Sequence, residues 1–165
     1  MINEYQTDTL TLPSPDETAK FGLLLGQTAL PGDVICLDGD LGAGKTTLTQ
    51  AIAKGLEVPD NPPVTSPSFA IFQEYQGRIP LYHFDFYRLF GPDDVSGLGL
   101  DEYFYLSGCA VIEWPRRAAG LLPAEYLCLE LRVLAAEARQ VFCRYHRQRW
   151  AARWRSLTEK FALSR

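Results

Sequence analysis

Eight consecutive residues, Gly39-Asp40-Leu41-Gly42-Ala43-Gly44-Lys45-Thr46, follow the spacing G-x-x-x-x-G-K-[ST] in full. The chemistry of phosphate binding asks for each of these types at its place. Glycines let successive backbone N–H groups turn inward on a phosphate chain, and the N-terminus of a following helix adds positive potential. Lys45 would reach the β- and γ-phosphates, the Thr46 hydroxyl would ligate Mg2+, and Thr47 extends the loop by one residue. From average residue usage, a chance match in a chain of 165 residues has odds on the order of one in a hundred or less. The competing explanation is an accidental tight turn. The flanks speak against it, because an apolar run, Val34–Leu37, precedes the loop and a helical stretch follows. The pattern predicts a nucleoside triphosphate site. No Asn-Lys-x-Asp segment of the guanine-reading kind occurs, which favours ATP over GTP.

A phosphate loop needs an acid to organise its metal. Two carboxylates end apolar runs: Asp85 follows Leu81-Tyr82-His83-Phe84, and Glu113 follows Val111-Ile112. Either alone could be a surface carboxylate at a strand end. Together they carry more weight, since ligands sit at the carboxyl ends of strands in open α/β sheets. His83, one of two histidines, is a lone strand residue and reads as structural.

The elements that must hold these groups can be traced along the chain. Thr9–Leu12 alternates like a short strand. Ser14-Pro15-Asp16-Glu17 reads as a helix start, with Ser14 as N-cap, Pro15 first in the helix and Glu17 closing a capping box. That helix should run to about Leu30. Val34–Leu37 is predicted as a buried parallel strand, and Thr46–Lys54 as a helix stopped by Gly55. Residues 57–68 hold four prolines and read as an ordered, exposed loop. Phe69–Tyr75 and Ile79–Phe84 form a predicted hairpin across Gln76-Gly77-Arg78. Residues 91–104 read as one or two short helices broken at Gly97 and Gly99. Cys109–Ile112 is a further strand, and Leu127–Leu134 with Gln140–Tyr145 a second hairpin. Arg147–Leu163 closes as a helix with Trp150, Trp154, Leu157 and Phe161 on one stripe, which reads as core packing. The prediction is one α/β domain over residues 1–165, P-loop NTPase-like, with a mixed central sheet flanked by helices.

Composition agrees with one soluble domain: 47% hydrophobic and 22% charged residues are ordinary proportions. The four cysteines are scattered through apolar stretches, so they read as small buried hydrophobes. No signal peptide or membrane-length apolar run is seen, and a cytoplasmic location is expected. Charge is unevenly spread. Residues 132–165 carry +7 within a chain of net −4, so the preceding residues carry −11. Arg149, Arg153 and Lys160 recur at intervals of four and seven and should share one helix face. Such a face is either a solvated surface or a dock for an acidic surface or for RNA.

Four motifs in order resemble one family. Gly39 through Thr47, Val64-Thr65-Ser66-Pro67-Ser68-Phe69, His83-Phe84-Asp85-Phe86-Tyr87-Arg88 and Glu113-Trp114-Pro115 look like the bacterial TsaE (YjeE) family, over roughly residues 8–145. The resemblance implies the ATPase subunit of the machinery that makes threonylcarbamoyl-adenosine in tRNA, with TsaB and TsaD as partner subunits. It also implies Mg2+ ligation by Thr46 and Glu113, with Asp85 as a second essential acid. By the same resemblance, Thr65 and Ser66 lie in a switch-like loop that senses the γ-phosphate, and Glu17 and Arg117 approach the nucleotide. An arginine is often found in the family's last hairpin turn. Here only Arg139 is available for that place.

The function so implied is ATP hydrolysis that resets a tRNA-modifying complex between turnovers, slow without partners. Whether tRNA is contacted directly stays open. Two rivals use the same loop: a small-molecule kinase with Arg116 and Arg117 as lid cations, and a non-hydrolysing ATP-controlled binding module.

Overall fold

The computed structural model describes residues 3–165. In chain order the elements are β1 (Tyr5–Leu12), α1 (Pro15–Thr28), β2 (Val34–Asp38), α2 (Lys45–Gly55), β3 (Phe72–Tyr75), β4 (Leu81–Asp85), α3 (Pro92–Gly97), β5 (Cys109–Glu113), β6 (Leu127–Val133), β7 (Arg139–His146) and α4 (Arg147–Leu163). Two 3-10 turns, Leu100–Tyr105 and Pro115–Ala118, complete the set. All seven strands join one sheet in the order β1-β7-β6-β2-β5-β4-β3. The four inner strands β6, β2, β5 and β4 run parallel, and the flanking β7, β1 and β3 are antiparallel additions. The predicted mixed sheet is therefore observed, and both hairpins are real.

Alternation along the inner strands decides the layering. Ile35 and Leu37 of β2, with Val111 of β5, point into a core shared with Phe21, Leu25, Leu48, Ile52 and Trp154. Val34 and Cys36, with Ala110 and Ile112, point the other way, against Val95, Leu100 and Phe104. Both faces are covered, which is why these strands read as unbroken apolar runs. Helices α1, α2 and α4 lie on one face, and α3 with the 3-10 turns on the other.

Helix α2 is fixed tightly against α1. A Cβ at Gly26 would sit 2.1 Å from the Ile52 carbonyl, and one at Gly55 would sit 2.2 Å from the Leu23 carbonyl. Only hydrogen fits there, so the two backbones touch and α2 has little freedom to shift along the sheet.

Several boundaries move. β1 is longer than predicted because it zips along β7 from Tyr5↔His146 to Leu12↔Arg139. The strand predicted from Phe69 begins at Phe72, since Ile71 takes a left-handed φ of 70° that interrupts extension. The expected capping box is half made. Ser14 Oγ accepts the Glu17 N–H at 3.2 Å, but the Glu17 carboxylate turns to Lys20 at 3.2 Å and Arg165 at 3.4 Å. Cys36, Cys109 and Cys143 are buried and Cys128 is half-buried, all as free thiols. Burial pushes all four thiols up, Cys128 to about 11, so they behave as apolar side chains. Among the described residues no helix is long and apolar enough to cross a membrane.

The charged face predicted on the last helix needs correction. Trp150, Trp154, Leu157 and Phe161 do pack inward. Arg149 and Arg153, however, are not free cations. Both hold Asp33, which is fully buried, with contacts of 2.8 and 2.7 Å. Asp33 also accepts the Leu30 N–H at 2.8 Å, so one carboxylate staples α4 to the turn before β2. Lys160 alone of the three stays exposed.

Asp33→Ala leaves two partly buried guanidinium groups without their carboxylate. Breaking such a pair from one side should cost about 3 kcal/mol. Arg149→Ala keeps Arg153 on Asp33 and should cost about 1 kcal/mol. Urea denaturation will show the first variant with a clearly lower midpoint at unchanged slope. An unchanged midpoint would mean that α4 is held by its tryptophans alone.

Candidate functional site

The phosphate loop sits between the end of β2 and the start of α2. Gly39 and Gly44 adopt φ of 141° and 105°, conformations that side chains rarely take. At Gly39 a Cβ would also lie 2.6 Å from the Leu131 carbonyl. No side chain caps the first turn of α2, so its N–H groups are available at the mouth of the loop. Lys45 Nζ donates to the carbonyls of Gly39 and Asp40, at 2.6 and 2.8 Å, and lies 4.3 Å over the Trp114 ring. Its ammonium is pulled below its ordinary value by burial. The carboxylates of Glu113, Asp85, Asp38 and Asp40 act in the opposite direction.

Parallel register brings the two predicted acids together. Asp85 and Glu113 are direct partners at the last rung of β4 and β5. Both side chains are buried, with exposures of 5% and 3%. Thr46 Oγ1 donates to Glu113 at 3.1 Å, and His83 Nε2 lies 2.8 Å from the same carboxylate. An ionised Glu113 can only accept, so Nε2 carries the proton and His83 is an orienting residue. Asp85 accepts from Ser66 Oγ at 2.6 Å and from the Tyr87 N–H at 3.0 Å. The proline-rich loop is thus tied to the second acid by one hydroxyl.

Lys45, Thr46, Ser66, Asp85 and Glu113 line one cavity of about 490 Å³ together with Ser68, Tyr87, Arg88, Trp114 and Arg139. Trp114 has a left-handed φ of 60° and its ring packs 5.0 Å from Tyr87, making an aromatic wall. Arg139 Nε donates to the Ala43 carbonyl at 2.7 Å and braces the β6–β7 turn on the loop. The cation-binding capacity of the cavity is of one kind: the Thr46 hydroxyl and the Glu113 and Asp85 carboxylates are all hard oxygen donors. That set suits Mg2+, which takes one or two carboxylates and completes its shell from phosphate and water oxygens.

Not every predicted residue is brought in. Gly42, Gly44, Lys45, Thr46, Thr47, Leu41 and Ser66 line the cavity, whereas Gly39, Asp40, Ala43, Glu17, Thr65 and Arg117 do not. Thr65 donates its N–H to the Tyr75 hydroxyl at 3.4 Å, and Arg117 donates to the Phe90 carbonyl at 3.3 Å. Arg116 bonds Asp38 at 2.8 Å and lines an adjacent cavity of about 220 Å³ together with Gly39 and Asp40 of the phosphate loop. Neither Arg116 nor Arg117 therefore lines the cavity of Lys45, Thr46 and Glu113. Ser68, Tyr87, Arg88 and Trp114 received no role from sequence. The signal was present, since each lies within three residues of Ser66, Asp85 or Glu113 in the same motif.

The family model for "Threonylcarbamoyl adenosine biosynthesis protein TsaE" matches residues 12–141. The chain is similar to the "tRNA threonylcarbamoyladenosine biosynthesis protein TsaE" of Nostoc sp., at 44% identity over 70% of this chain and 75% of that protein. The protein of that name from Bacillus subtilis is 42% identical over 78% of this chain and 79% of its own. The one from Treponema pallidum is 39% identical over 78% and 93%. Among solved structures, the crystal structure of Bacillus subtilis YdiB superposes with a TM-score of 0.75 at 32% identity, covering 98% of both chains. With a model match across most of its length and relatives above 30% identity, the chain belongs to the TsaE family.

Proposed function

We propose that this chain binds ATP with Mg2+ and hydrolyses it in support of threonylcarbamoyladenosine biosynthesis in tRNA, acting with the partner subunits TsaB and TsaD. The biosynthetic role rests on membership of the TsaE family. The chemistry rests on one observation above all: Thr46, Glu113 and Asp85 converge on the cavity that the phosphate loop opens into.

The residues divide the work. Loop N–H groups and Lys45 would hold the phosphate chain. Thr46 and Glu113, with Asp85 nearby, would hold Mg2+, which when bound draws charge off the phosphate oxygens. Asp85 is placed to accept a proton from an attacking water, with Ser66 and the Tyr87 N–H fixing its orientation. Ser66 also makes the 60–68 loop responsive to what occupies the cavity, since any group that competes for Asp85 disturbs the loop's side-chain bond to it. Hydrolysis is preferred over phosphoryl transfer because neither Arg116, held by Asp38, nor Arg117 lines the cavity of Lys45, Thr46 and Glu113.

Lys45→Ala should weaken ATP binding by at least roughly 100-fold, the scale of losing charge-assisted bonds to phosphate. Thermal unfolding should stay near wild type, because Lys45 contacts loop carbonyls and one ring rather than the core. Isothermal titration decides it, and near-wild-type affinity would remove the loop from the site.

Asp85→Asn should lower partner-stimulated phosphate release by roughly 10² to 10⁴-fold while leaving ATP affinity within a few-fold. Glu113→Gln should instead raise the Mg2+ concentration needed for half-maximal turnover. Phosphate release across a Mg2+ series separates the two roles. Glu113→Gln with an unshifted Mg2+ dependence would take it out of the metal site.

A further inference from the structure

The phosphate cavity contains three basic side chains, and two of them are committed. Lys45 is held by loop carbonyls and Arg139 by the Ala43 carbonyl. Arg88 is different. It lines the same cavity as Lys45, Thr46, Asp85 and Glu113. Among the described residues its guanidinium forms no ion pair with a carboxylate, and it rests 4.1 Å over the Phe69 ring. Phe69 is 84% exposed, and Arg88 lies across its face. Phe69 belongs to the loop that carries Ser66, which is bonded to Asp85. Arg88 follows Asp85 by three residues, on the turn that leaves β4. One stretch of chain therefore presents the acid and the guanidinium to the same cavity, and one loop holds both.

We propose that Arg88 is the cation that stabilises charge on the transferred phosphoryl group, and that Phe69 parks it until the 60–69 loop moves. The proposal rests on the hydrolytic reading above and names its missing catalytic group and its regulation. In the reaction the water oxygen bonds to the γ-phosphorus as the bond to the β–γ bridging oxygen breaks. The bond's electron pair stays on ADP. One water proton passes to Asp85 and then to solvent, and the other remains on the phosphate. Negative charge spreads over the phosphoryl oxygens and the leaving oxygen as this happens, and a planar guanidinium stabilises that distribution. Arginines in this role contribute roughly 10³ to 10⁵ in turnover. A parked Arg88 would make turnover slow in the absence of partners. A partner that takes up exposed Phe69 frees the guanidinium for the phosphate.

The test uses the full chain with and without TsaB and TsaD. Arg88→Ala should bind ADP like wild type, yet release phosphate at least roughly 10³-fold more slowly with partners. It should also lose the extra affinity for ADP with aluminium fluoride, a mimic of the planar phosphoryl group. Arg88→Lys should restore only part of either. Phe69→Ala should raise turnover without partners by roughly two- to fivefold, the scale of one exposed cation–π contact. Arg88→Ala with wild-type turnover and wild-type affinity for the mimic overturns the catalytic assignment and leaves hydrolysis standing. Phe69→Ala with unchanged or lower basal turnover overturns the parking. No phosphate release by the wild type with partners overturns hydrolysis itself, and this assignment with it.

Discussion

Glu113 is a carboxylate taken almost wholly out of water, at 3% exposure, and a buried charge must be satisfied by its neighbours. Its partners come from two different elements. Thr46 reaches it from the first turn of α2, and His83 reaches it from the adjacent strand β4. These bonds join the helix that carries the phosphate loop to the strand ends that carry the acids. They also explain why a histidine stands in an otherwise apolar strand. His83 is fully buried, and its Nε2 meets the carboxylate while Asp85 and Glu113 close the same rung of the sheet. The contact between α1 and α2 at Gly26 and Gly55 then fixes α2 from behind. A helix so clamped can hold Thr46 within bonding distance of Glu113 without help from the 60–69 loop.

Much of this was legible in the sequence, for a physical reason. Strand ends beside a phosphate loop are places where apolar periodicity stops abruptly at a charge, and Asp85 and Glu113 both show that break. The loop glycines are equally readable, because backbone at φ of 141° and 105° admits almost nothing else. Helix α4 was predicted to the residue, since its four-residue apolar stripe ran unbroken from Trp150 to Phe161. What the sequence did not carry was pairing over long distance. Arg149 and Arg153 looked like half of a solvated stripe, and nothing near them in sequence hints at Asp33, well over a hundred residues away. Net charge counts cations without saying which are spent.

The same limit explains the arginines around the site. Arg116 and Arg117 sit beside Trp114-Pro115 and so looked well placed for the nucleotide. Trp114, however, takes a left-handed φ and starts a 3-10 turn that carries the next residues away from the cavity. Arg116 falls behind the loop onto Asp38, and Arg117 onto the Phe90 carbonyl. Arg88 was quoted within a motif but given no role, because nothing in its spacing separates it from a surface arginine. A single backbone conformation, that of Trp114, thus redistributes Arg116 and Arg117.

Asp38 shows how closely the two sides of the loop are linked. Its Oδ1 accepts the Gly39 N–H at 2.9 Å, inside the phosphate loop, and its Oδ2 accepts Arg116 at 2.8 Å. On the other flank Arg139 holds the Ala43 carbonyl. The loop is therefore shaped from outside by two guanidinium groups, one acting through a carboxylate and one directly on the backbone. Neither needs to touch phosphate to matter, since a loop whose N–H groups already converge loses less entropy when a ligand arrives. The cavity thus draws its groups from two sources: Thr46, Asp85 and Glu113 come from the first turn of α2 and the strand ends, whereas Ser66 reaches Asp85 from the 60–69 loop.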